Sequence, residues 1–273
     1  MINPLAVSTW SLHRHLARPN YTPAAYRIDV TEFPAMVRDR FGVTNVEICQ
    51  MHLESAKYSY LEKVRKALVA ADVSILNMPI DVGNIAQADT AARMRDIELL
   101  KDWIRAAAYL GSPAVRINTG RSDTPFPDLP TIIESYRILT NYGKQLNVRV
   151  LIENHGGISS DPTNIMKILR GVNSFYYFRA LPDFGNWEPE VRYDGIRIML
   201  PFAYIVHAKT LDFNDQGEMT AFNFGIAMRL VKAADFRGPL SVEFEGEGDQ
   251  YDGIARSLEL IKHELAEPAP ALG

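Results

Sequence analysis

Short apolar runs with strand-like composition recur eight times along the chain and alternate with segments of helical apolar spacing. The runs are PLAVST, VTNVEIC, VSILNM, AVRINT, VRVLIE, FRALPD, YIVHAK and PLSVEFE. The clearest helical segments are SYLEKVRKALVAA, RMRDIELLKDWIRAAAYL, LPTIIESYRILTNYGKQL, PTNIMKILRGV and AFNFGIAMRLVKAA. Because a strand reaches a parallel neighbour only through a crossover helix, this alternation predicts a parallel sheet.

Eight strand–helix units in 273 residues predict an α/β fold with a single (β/α)8 TIM barrel. The competing fold is an open doubly wound sheet, which usually carries a phosphate-binding glycine loop after its first strand. The segment STWSLHRH after the first run contains no glycine, so the barrel is favoured. No Pro/Gly/Ser-rich linker divides the chain, and we expect one barrel domain over 1–265. The Pro- and Ala-rich residues 266–273 are expected to form a flexible tail.

Composition narrows the class of partner. The formal net charge of −4 provides no basic field, so neither nucleic acid nor an anionic membrane is expected, and a small molecule is the favoured partner. Cys49 is the only cysteine, which excludes a disulfide framework and a cysteine zinc site. The first residues lack the features of a signal peptide, and we expect a cytoplasmic protein. Whether the protein forms a homo-oligomer remains open. The sequence shows no exposed apolar stripe that would mark an interface.

Polar side chains follow four consecutive runs near the point where each run ends. Glu153 ends the fifth run, Asp183 the sixth and His207 the seventh, and Glu243 comes near the end of the eighth. In a barrel, the loops after the strands gather at one mouth, so these side chains should meet. Taken singly, each acid is more simply a helix cap or a surface ion-pair partner, and the histidine a structural residue.

Three carboxylates at one mouth need a positive partner, because their mutual repulsion is strong where the dielectric constant is reduced. A divalent cation meets this need. An oxygen-rich set with one imidazole favours Mn²⁺ or Mg²⁺, with Co²⁺ or Zn²⁺ as alternatives.

Strand alternation applies to the two glutamates of the eighth run. Ser241, Glu243 and Glu245 should share the inward face, since successive side chains point to opposite sides. Glu243 should lie deeper and is assigned to the metal, and Glu245 is assigned to the rim as a substrate contact. The reverse order remains open.

Two basic residues lie close to these acids in the sequence. Lys209 follows His207 by two positions and is suited to holding a substrate oxygen, carboxylate or phosphate; the alternative is an ion pair to Glu245 or Asp212. Arg116, at the end of the fourth run, either faces the substrate or forms a salt bridge inside the barrel.

His155 and Asn154 follow the fifth run directly, and they either donate to substrate hydroxyls or orient Glu153. An aromatic wall would suit a sugar ring, although a tryptophan more often serves only for packing. The candidates for such a wall are Trp10, His13 and Trp187.

Several sequence blocks, in order and on the expected strands, resemble the sugar phosphate isomerase/epimerase superfamily of xylose isomerase-like barrels. The blocks are IENHGG (152–157), LPDFGN (181–186), HAK (207–209), SVEFEG (241–246) and, more weakly, WIRAAAYLGSPAVRINTG (103–120). The resemblance covers nearly the whole chain.

This resemblance implies one divalent metal held by Glu153, Asp183, His207 and Glu243, with the two glutamates as an acid/base pair. It implies a metal-dependent isomerase or epimerase of a keto sugar or related polyol. Moving a proton next to a carbonyl needs a base and an electrophile for the developing oxyanion, and a bound metal stabilises the enediolate.

Two departures from the family's patterns leave other functions open. The family often shows Asp-x-x-His after the sixth strand and His-x-x-Asp after the seventh, where this chain has Asp183 with Asn186 and His207 with Thr210. A three-zinc nuclease centre is therefore not expected, and Asn186 becomes a candidate substrate contact. The alternatives are a dehydratase or lyase acting on a keto-inositol or an oxidised sugar or glycoside, and a sugar-binding barrel without catalysis.

Overall fold

The computed structural model describes residues 3–18, 28–121 and 128–267. Its strands are β1 (Leu5–Ser8), β2 (Asn45–Glu47), β3 (Ser74–Ile80), β4 (Ala114–Ile117), β5 (Arg149–Glu153), β6 (Phe178–Leu181), β7 (Val206–Thr210) and β8 (Leu240–Phe244). Its α-helices are α1 (Phe33–Phe41), α2 (Tyr58–Ala71), α3 (Thr90–Leu110), α4 (Leu129–Gln145), α5 (Pro162–Val172), α6 (Arg192–Met199), α7 (Phe224–Ala233) and α8 (Gln250–Ala266). All eight predicted strands are present, and the five predicted helical segments correspond to α2, α3, α4, α5 and α7.

The strands form one curled, eight-stranded sheet in the order β6-β5-β4-β3-β2-β1-β8-β7, and every ladder is parallel. At the two ends of this order, single parallel bridges join Ala180 of β6 to Ala203, which precedes β7, and Asp183, which follows β6, to His207 of β7. The predicted parallel sheet with crossover helices is therefore confirmed.

Capping residues explain where the helices begin and end. Asp89 begins α3 by accepting hydrogen bonds from the backbone N–H groups of Ala91 and Ala92, and Gly111 ends it in the left-handed conformation at φ 83°. The Asp161-Pro162 pair begins α5 in the same way, with the Asp161 side chain as the cap and proline in the first turn. The N-terminal caps set where the loops that follow the strands end, and these loops lie at the carboxyl end of the sheet.

A small apolar cluster lies on the inner face of the sheet, separate from the main core between sheet and helices. Its buried members are Ala114, Leu151, Leu181 and Ile205. The residues two positions later along the same segments are Arg116, Glu153, Asp183 and His207. Because strand side chains alternate with a period of two, each polar residue points to the same face as the apolar residue before it. The inner face therefore carries an apolar layer beneath a polar one.

The predicted domain boundary falls at the end of the last helix. α8 ends at Ala266 and the described chain ends at Glu267, so most of the predicted tail (268–273) lies outside the described residues. Within the described ranges, none of the helices combines the length and apolar character that crossing a bilayer requires.

Candidate active site

Four side chains from successive strands meet at the carboxyl end of the sheet. Glu153 ends β5, Asp183 lies two residues beyond β6, and His207 and Glu243 belong to β7 and β8. One ligand atom from each lies within 4.8 Å of the others, and all four residues are buried. We call these four residues the ligand cluster.

Both oxygens of Glu153 have cationic or imidazole partners. Oε1 lies 2.9 Å from Nδ1 of His207, and Oε2 lies 2.9 Å from Nε of Arg116 and 3.1 Å from Nδ1 of His155. Burial acts to raise the pKa of Glu153, but Arg116 and the two histidines outweigh burial and hold that pKa well below its usual range. Glu153 is therefore ionised, and its position is set by three neighbours.

Asp183 presents one oxygen to the backbone and the other to the cluster. Oδ1 accepts hydrogen bonds from the backbone N–H groups of Gly185 and Asn186 at 2.7 and 2.8 Å. Oδ2 is buried without a hydrogen-bond partner among the described residues, 3.7 Å from Nδ1 of His207. Burial, together with the neighbouring carboxylates, raises the pKa of Asp183 to about 7. A buried oxygen in this position fits a bound cation.

Asn154 connects β5 to the loop that carries Asp183. Its Nδ2 donates to the Asp183 carbonyl at 3.0 Å, and its Oδ1 accepts from the Asp183 backbone N–H at 2.7 Å. The side chain is fully buried. Since both ends of its amide are engaged within the protein, Asn154 positions Asp183, whereas the two predicted roles were a contact with substrate and the orientation of Glu153.

The two nitrogens of the His207 ring face different carboxylates. Nδ1 points to the ligand cluster, and Nε2 lies 3.2 Å from the carboxylate of Glu47. Nδ2 of Asn77 donates to that carboxylate at 2.7 Å. Burial acts to lower the pKa of His207, but the surrounding glutamates outweigh burial and raise it well above its usual value. Glu47 thus orients the imidazole from behind, as outer partners of metal-bound histidines do.

Sequence reasoning missed Glu47. The signal was an acidic residue between Val46 and Ile48 on a strand, which is the same signal that identified Glu153 at the end of β5. It lies on β2, outside the four consecutive strands that carry the predicted ligands.

Lys209 forms ion pairs with the cluster and the rim. Its Nζ lies 3.1 Å from Glu243 and 3.1 Å from Glu245, and it donates to Oδ1 of Asn186 at 2.8 Å. Burial acts to lower the pKa of Lys209, but the carboxylates around it raise that pKa well above its usual value. The predicted ion pair to Glu245 is present, and Lys209 also lines the cavity above the cluster.

Arg116 lies inside the sheet between two carboxylates. It pairs with Asp81 and Glu153, and its Nη1 donates to Oδ1 of Asn118 at 3.0 Å. The residue is only 3% exposed. The interior salt bridge, one of the two predicted roles, is present, and Arg116 also lines the cavity.

A cavity of about 710 Å³ opens above the cluster. Its walls include Glu243, Glu245, Lys209, Asn186, His155, Arg116 and Trp10. In the described part of the chain, Glu243 is the one cluster residue in these walls, so the other three lie beneath it. The strand alternation predicted for Glu243 and Glu245 agrees with this placement.

The donor set fits a divalent cation. Three carboxylates and one imidazole are oxygen-rich and carry excess negative charge, which suits Mn²⁺ or Mg²⁺ and does not exclude Co²⁺ or Zn²⁺. Oδ2 of Asp183, which accepts no hydrogen bond from the described residues, lies where such an ion would be coordinated.

A family profile described as xylose isomerase-like TIM barrel matches residues 39–264. This chain belongs to that family. Among curated proteins, no sequence match is found.

Solved structures of sugar epimerases resemble this member of the xylose isomerase-like family over nearly its whole length. L-ribulose 3-epimerase superposes with a TM-score of 0.76 at 12% identity, covering 97% of this chain and 95% of the other. D-allulose 3-epimerase from Methylomonas sp. has a TM-score of 0.74 at 13% identity, covering 96% and 98%. The 3-keto-D-glucoside 4-epimerase from E. coli has a TM-score of 0.73 at 12% identity, covering 96% and 99%. At these identities the likeness concerns the fold.

The three aromatic candidates of this family member occupy different places. Trp10 lines the cavity and donates its Nε1–H to Glu245. His13 stacks on Trp10 with ring centroids 4.7 Å apart and supports the indole rather than lining the cavity. Trp187 is 2% exposed, and a Cβ added to Gly195 of α6 would lie 2.6 Å from its ring. Trp187 therefore packs beneath α6, and the structure does not place it on the predicted aromatic wall.

Proposed function

We propose that this protein is a divalent-metal-dependent isomerase or epimerase of a keto sugar or a related polyol. The observation that carries the proposal is the convergence of Glu153, Asp183, His207 and Glu243 within 4.8 Å beneath a cavity. The structural neighbours named as sugar epimerases support it. Mn²⁺ or Mg²⁺ is the expected ion, with Co²⁺ or Zn²⁺ as alternatives.

The cation would be held by the four cluster side chains. When bound, it supplies a Lewis acid that polarises substrate hydroxyl and carbonyl oxygens and stabilises an enediolate. Lys209 and Arg116 lie in the cavity wall beside it, where they orient substrate oxygens. Asn186 and Glu245 complete this polar wall, and Trp10 supplies its apolar surface.

The two glutamates have unequal access to substrate. Glu243 lines the cavity, so it is the group that removes the proton next to the carbonyl. Glu153 lies deeper and contacts His155, which lines the cavity, at 3.1 Å. We assign the second proton transfer to the pair of Glu153 and His155. The carboxylate of Glu153 raises the pKa of His155, and the protonated imidazole of His155 would return a proton to the other face of the carbon.

We also propose that the curled sheet closes into a complete barrel. The bridges between Ala180 and Ala203 and between Asp183 and His207 support closure, and the second of these joins two cluster residues.

The net charge of −4 and the single cysteine support a cytoplasmic protein with a small-molecule partner rather than nucleic acid.

One observation favours a lyase as the second candidate. The Lys209 ammonium lies 3.1 Å from Glu243, so a base and a proton donor are adjacent in the cavity wall. After Glu243 takes a proton next to the carbonyl, Lys209 can protonate a departing hydroxyl or glycosidic oxygen. A keto-inositol or an oxidised sugar or glycoside would suit this reaction.

Incubation of the Mn²⁺-loaded protein with a panel of keto sugars in D₂O tests the proposal. An isomerase or epimerase incorporates deuterium at a carbon next to the carbonyl and leaves the elemental composition otherwise unchanged. A lyase releases water or an aglycone. A binding protein without catalysis shows no exchange with any sugar, and its sugar affinity does not change when the metal is removed.

Variants of the two glutamates test their assignment. Glu153→Gln and Glu243→Gln should each lower the exchange rate by at least about 100-fold, the scale on which positioned acids and bases act. Glu247→Gln is the matched control, because its side chain is 96% exposed at the mouth. Full activity of both cluster variants would contradict the acid/base assignment.

A further inference from the structure

The cavity extends from the ligand cluster to the loops that follow β3 and β4. Its walls there are formed by Gly83, Asn84, Asn118, Thr119, Gly120 and Arg121. The cluster comes from β5 to β8 and the segments that follow them, so this polar part of the cavity belongs to the opposite side of the mouth. The proposed function assigns no role to it.

The side chain of Asn84 hydrogen-bonds to both the backbone N–H and the backbone carbonyl of Arg121. Its Oδ1 accepts from the backbone N–H groups of Ala86 and Arg121 at 3.0 and 3.1 Å, and its Nδ2 donates to the Arg121 carbonyl at 2.9 Å. Gly120 has φ +84°, and a Cβ added there would lie 2.1 Å from Oδ1 of Asn84. The close approach therefore requires glycine, and it fixes the backbone from which the Arg121 side chain reaches the cavity.

Arg121 differs in its acidic partners from the other cationic or imidazole side chains that line the cavity. Arg116 pairs with Asp81 and Glu153, Lys209 pairs with Glu243 and Glu245, and His155 contacts Glu153. Among the described residues, no carboxylate pairs with the guanidinium of Arg121. Arg121 is exposed at the edge of the cavity, so its guanidinium is accessible to an anionic group of a ligand and complementary to it in charge.

We propose that Arg121 binds an anionic group of the substrate, a phosphate or a carboxylate, while the other end of the substrate lies at the ligand cluster. The substrate class is then a phosphorylated or acidic keto sugar. This inference rests on the proposed function for the reacting end only. Anion recognition by Arg121 does not require that the cluster be catalytic.

Three probes with one carbon skeleton test the proposal. D-fructose, D-fructuronate and D-fructose 6-phosphate carry an alcohol, a carboxylate and a phosphate at C6. Dissociation constants for the Mn²⁺-loaded protein are measured by isothermal titration calorimetry at low ionic strength, where a partly exposed charge pair is least screened. We expect at least one anionic probe to bind about tenfold or more tightly than D-fructose, and the preferred one identifies the chemistry of the group.

Arg121→Gln should remove this preference and leave the affinity for D-fructose within about twofold. Arg121→Lys should retain part of the preference, because the positive charge remains. It should lose the other part, because the paired donors of the guanidinium are absent. Arg170→Gln is the matched control, since Arg170 is exposed in the last turn of α5 and does not line the cavity. Asn84→Ala should weaken the preference without removing the guanidinium.

The outcomes separate this inference from the proposed function. If the parent protein binds neither anionic probe more tightly than D-fructose, or if Arg121→Gln keeps the preference, the inference is wrong. Deuterium exchange of D-fructose without an anion preference would leave the proposed function standing alone. If the anion preference depends on Arg121 but no probe exchanges deuterium, the anion site is supported and the proposed function is not.

Discussion

Glu47 and His207 form a fully buried pair in which the carboxylate lies 3.2 Å from Nε2 of the imidazole. The arrangement directs Nδ1 toward Glu153, Asp183 and Glu243. Nδ2 of Asn77 donates a hydrogen bond to the same carboxylate at 2.7 Å. The chain of contacts from Asn77 through Glu47 to His207 therefore fixes which nitrogen faces the cluster.

Glu47→Gln should weaken Mn²⁺ binding about 10-fold to 100-fold, the range typical for loss of an outer partner of a metal-binding histidine. The amide keeps the shape but not the charge that makes the imidazole a stronger donor to a metal. Isothermal titration calorimetry with Mn²⁺ measures the change. Glu190→Gln, at an exposed position before α6, is the control. An unchanged Mn²⁺ affinity in Glu47→Gln would show that the pair is only structural.

Much of this site is readable from strand periodicity. Polar residues at the ends of four consecutive apolar runs predicted the cluster from the common mouth of parallel strands, and alternation predicted that Glu243 and Glu245 share one face. The prediction needs no side-chain detail, because both rules concern the backbone. The α/β fold and the parallel sheet follow in the same way.

The remaining features depend on contacts that sequence periodicity does not encode. Trp187 follows Asn186 in sequence, yet the turn after Asp183 sends its ring beneath α6 while Asn186 stays in the cavity wall. Asn154 adjoins Glu153 but points to the Asp183 backbone. In loops, neighbouring side chains diverge according to local dihedral angles, so their roles require the structure.

Asp183→Asn should stabilise the metal-free protein above neutral pH. The folded-state pKa is raised from an ordinary value of 3.8 to about 7, so the native state binds more protons than the unfolded state between these values. The free energy of unfolding therefore falls as pH rises from about 4 to about 7, and the variant lacks this loss. We expect a gain of roughly 1–3 kcal/mol at pH 8 and almost none near pH 3.

Thermal unfolding in EDTA across this pH range measures the difference, with the exposed Asp215→Asn as the control. Saturating Mn²⁺ should reverse the order, because binding to the native state stabilises the parent protein and the variant lacks one ligand. Equal stability of Asp183→Asn and the parent protein at pH 8 in EDTA would show that ionisation of the buried Asp183 carboxylate does not lower the free energy of unfolding.

Asn154→Ala should destabilise the metal-free protein by about 2 kcal/mol or more, because it leaves the buried N–H and carbonyl of Asp183 without their partner. Urea denaturation monitored by circular dichroism measures the change. Asn164→Ala removes a single bond to the Ile158 carbonyl at a partly buried position and should cost less. If the two variants lose the same stability, the two hydrogen bonds between Asn154 and the Asp183 backbone stabilise the protein no more than the single bond of Asn164.

Gly185→Ala should displace Lys209 without unfolding the protein. A Cβ at position 185 would lie 2.6 Å from Cδ and 2.9 Å from Cγ of Lys209, and real contacts are essentially never that close. The lysine stem must move, which weakens the contacts of its ammonium with Glu243 and Asn186. We expect the rate of solvent exchange into an accepted keto sugar to fall by about tenfold or more, since small misplacements of groups that hold substrate are costly.

Gly248→Ala is the matched substitution, because its Cβ would meet Oδ1 of Asp212 at 3.6 Å, an ordinary contact distance. Its exchange rate should equal that of the parent protein. Circular dichroism and Mn²⁺ titration of both variants separate a local effect on Lys209 from a loss of fold or metal. An unchanged exchange rate in Gly185→Ala with the metal bound would mean that the Lys209 ammonium is not needed where the structure places it, and the lyase alternative would lose its proton donor.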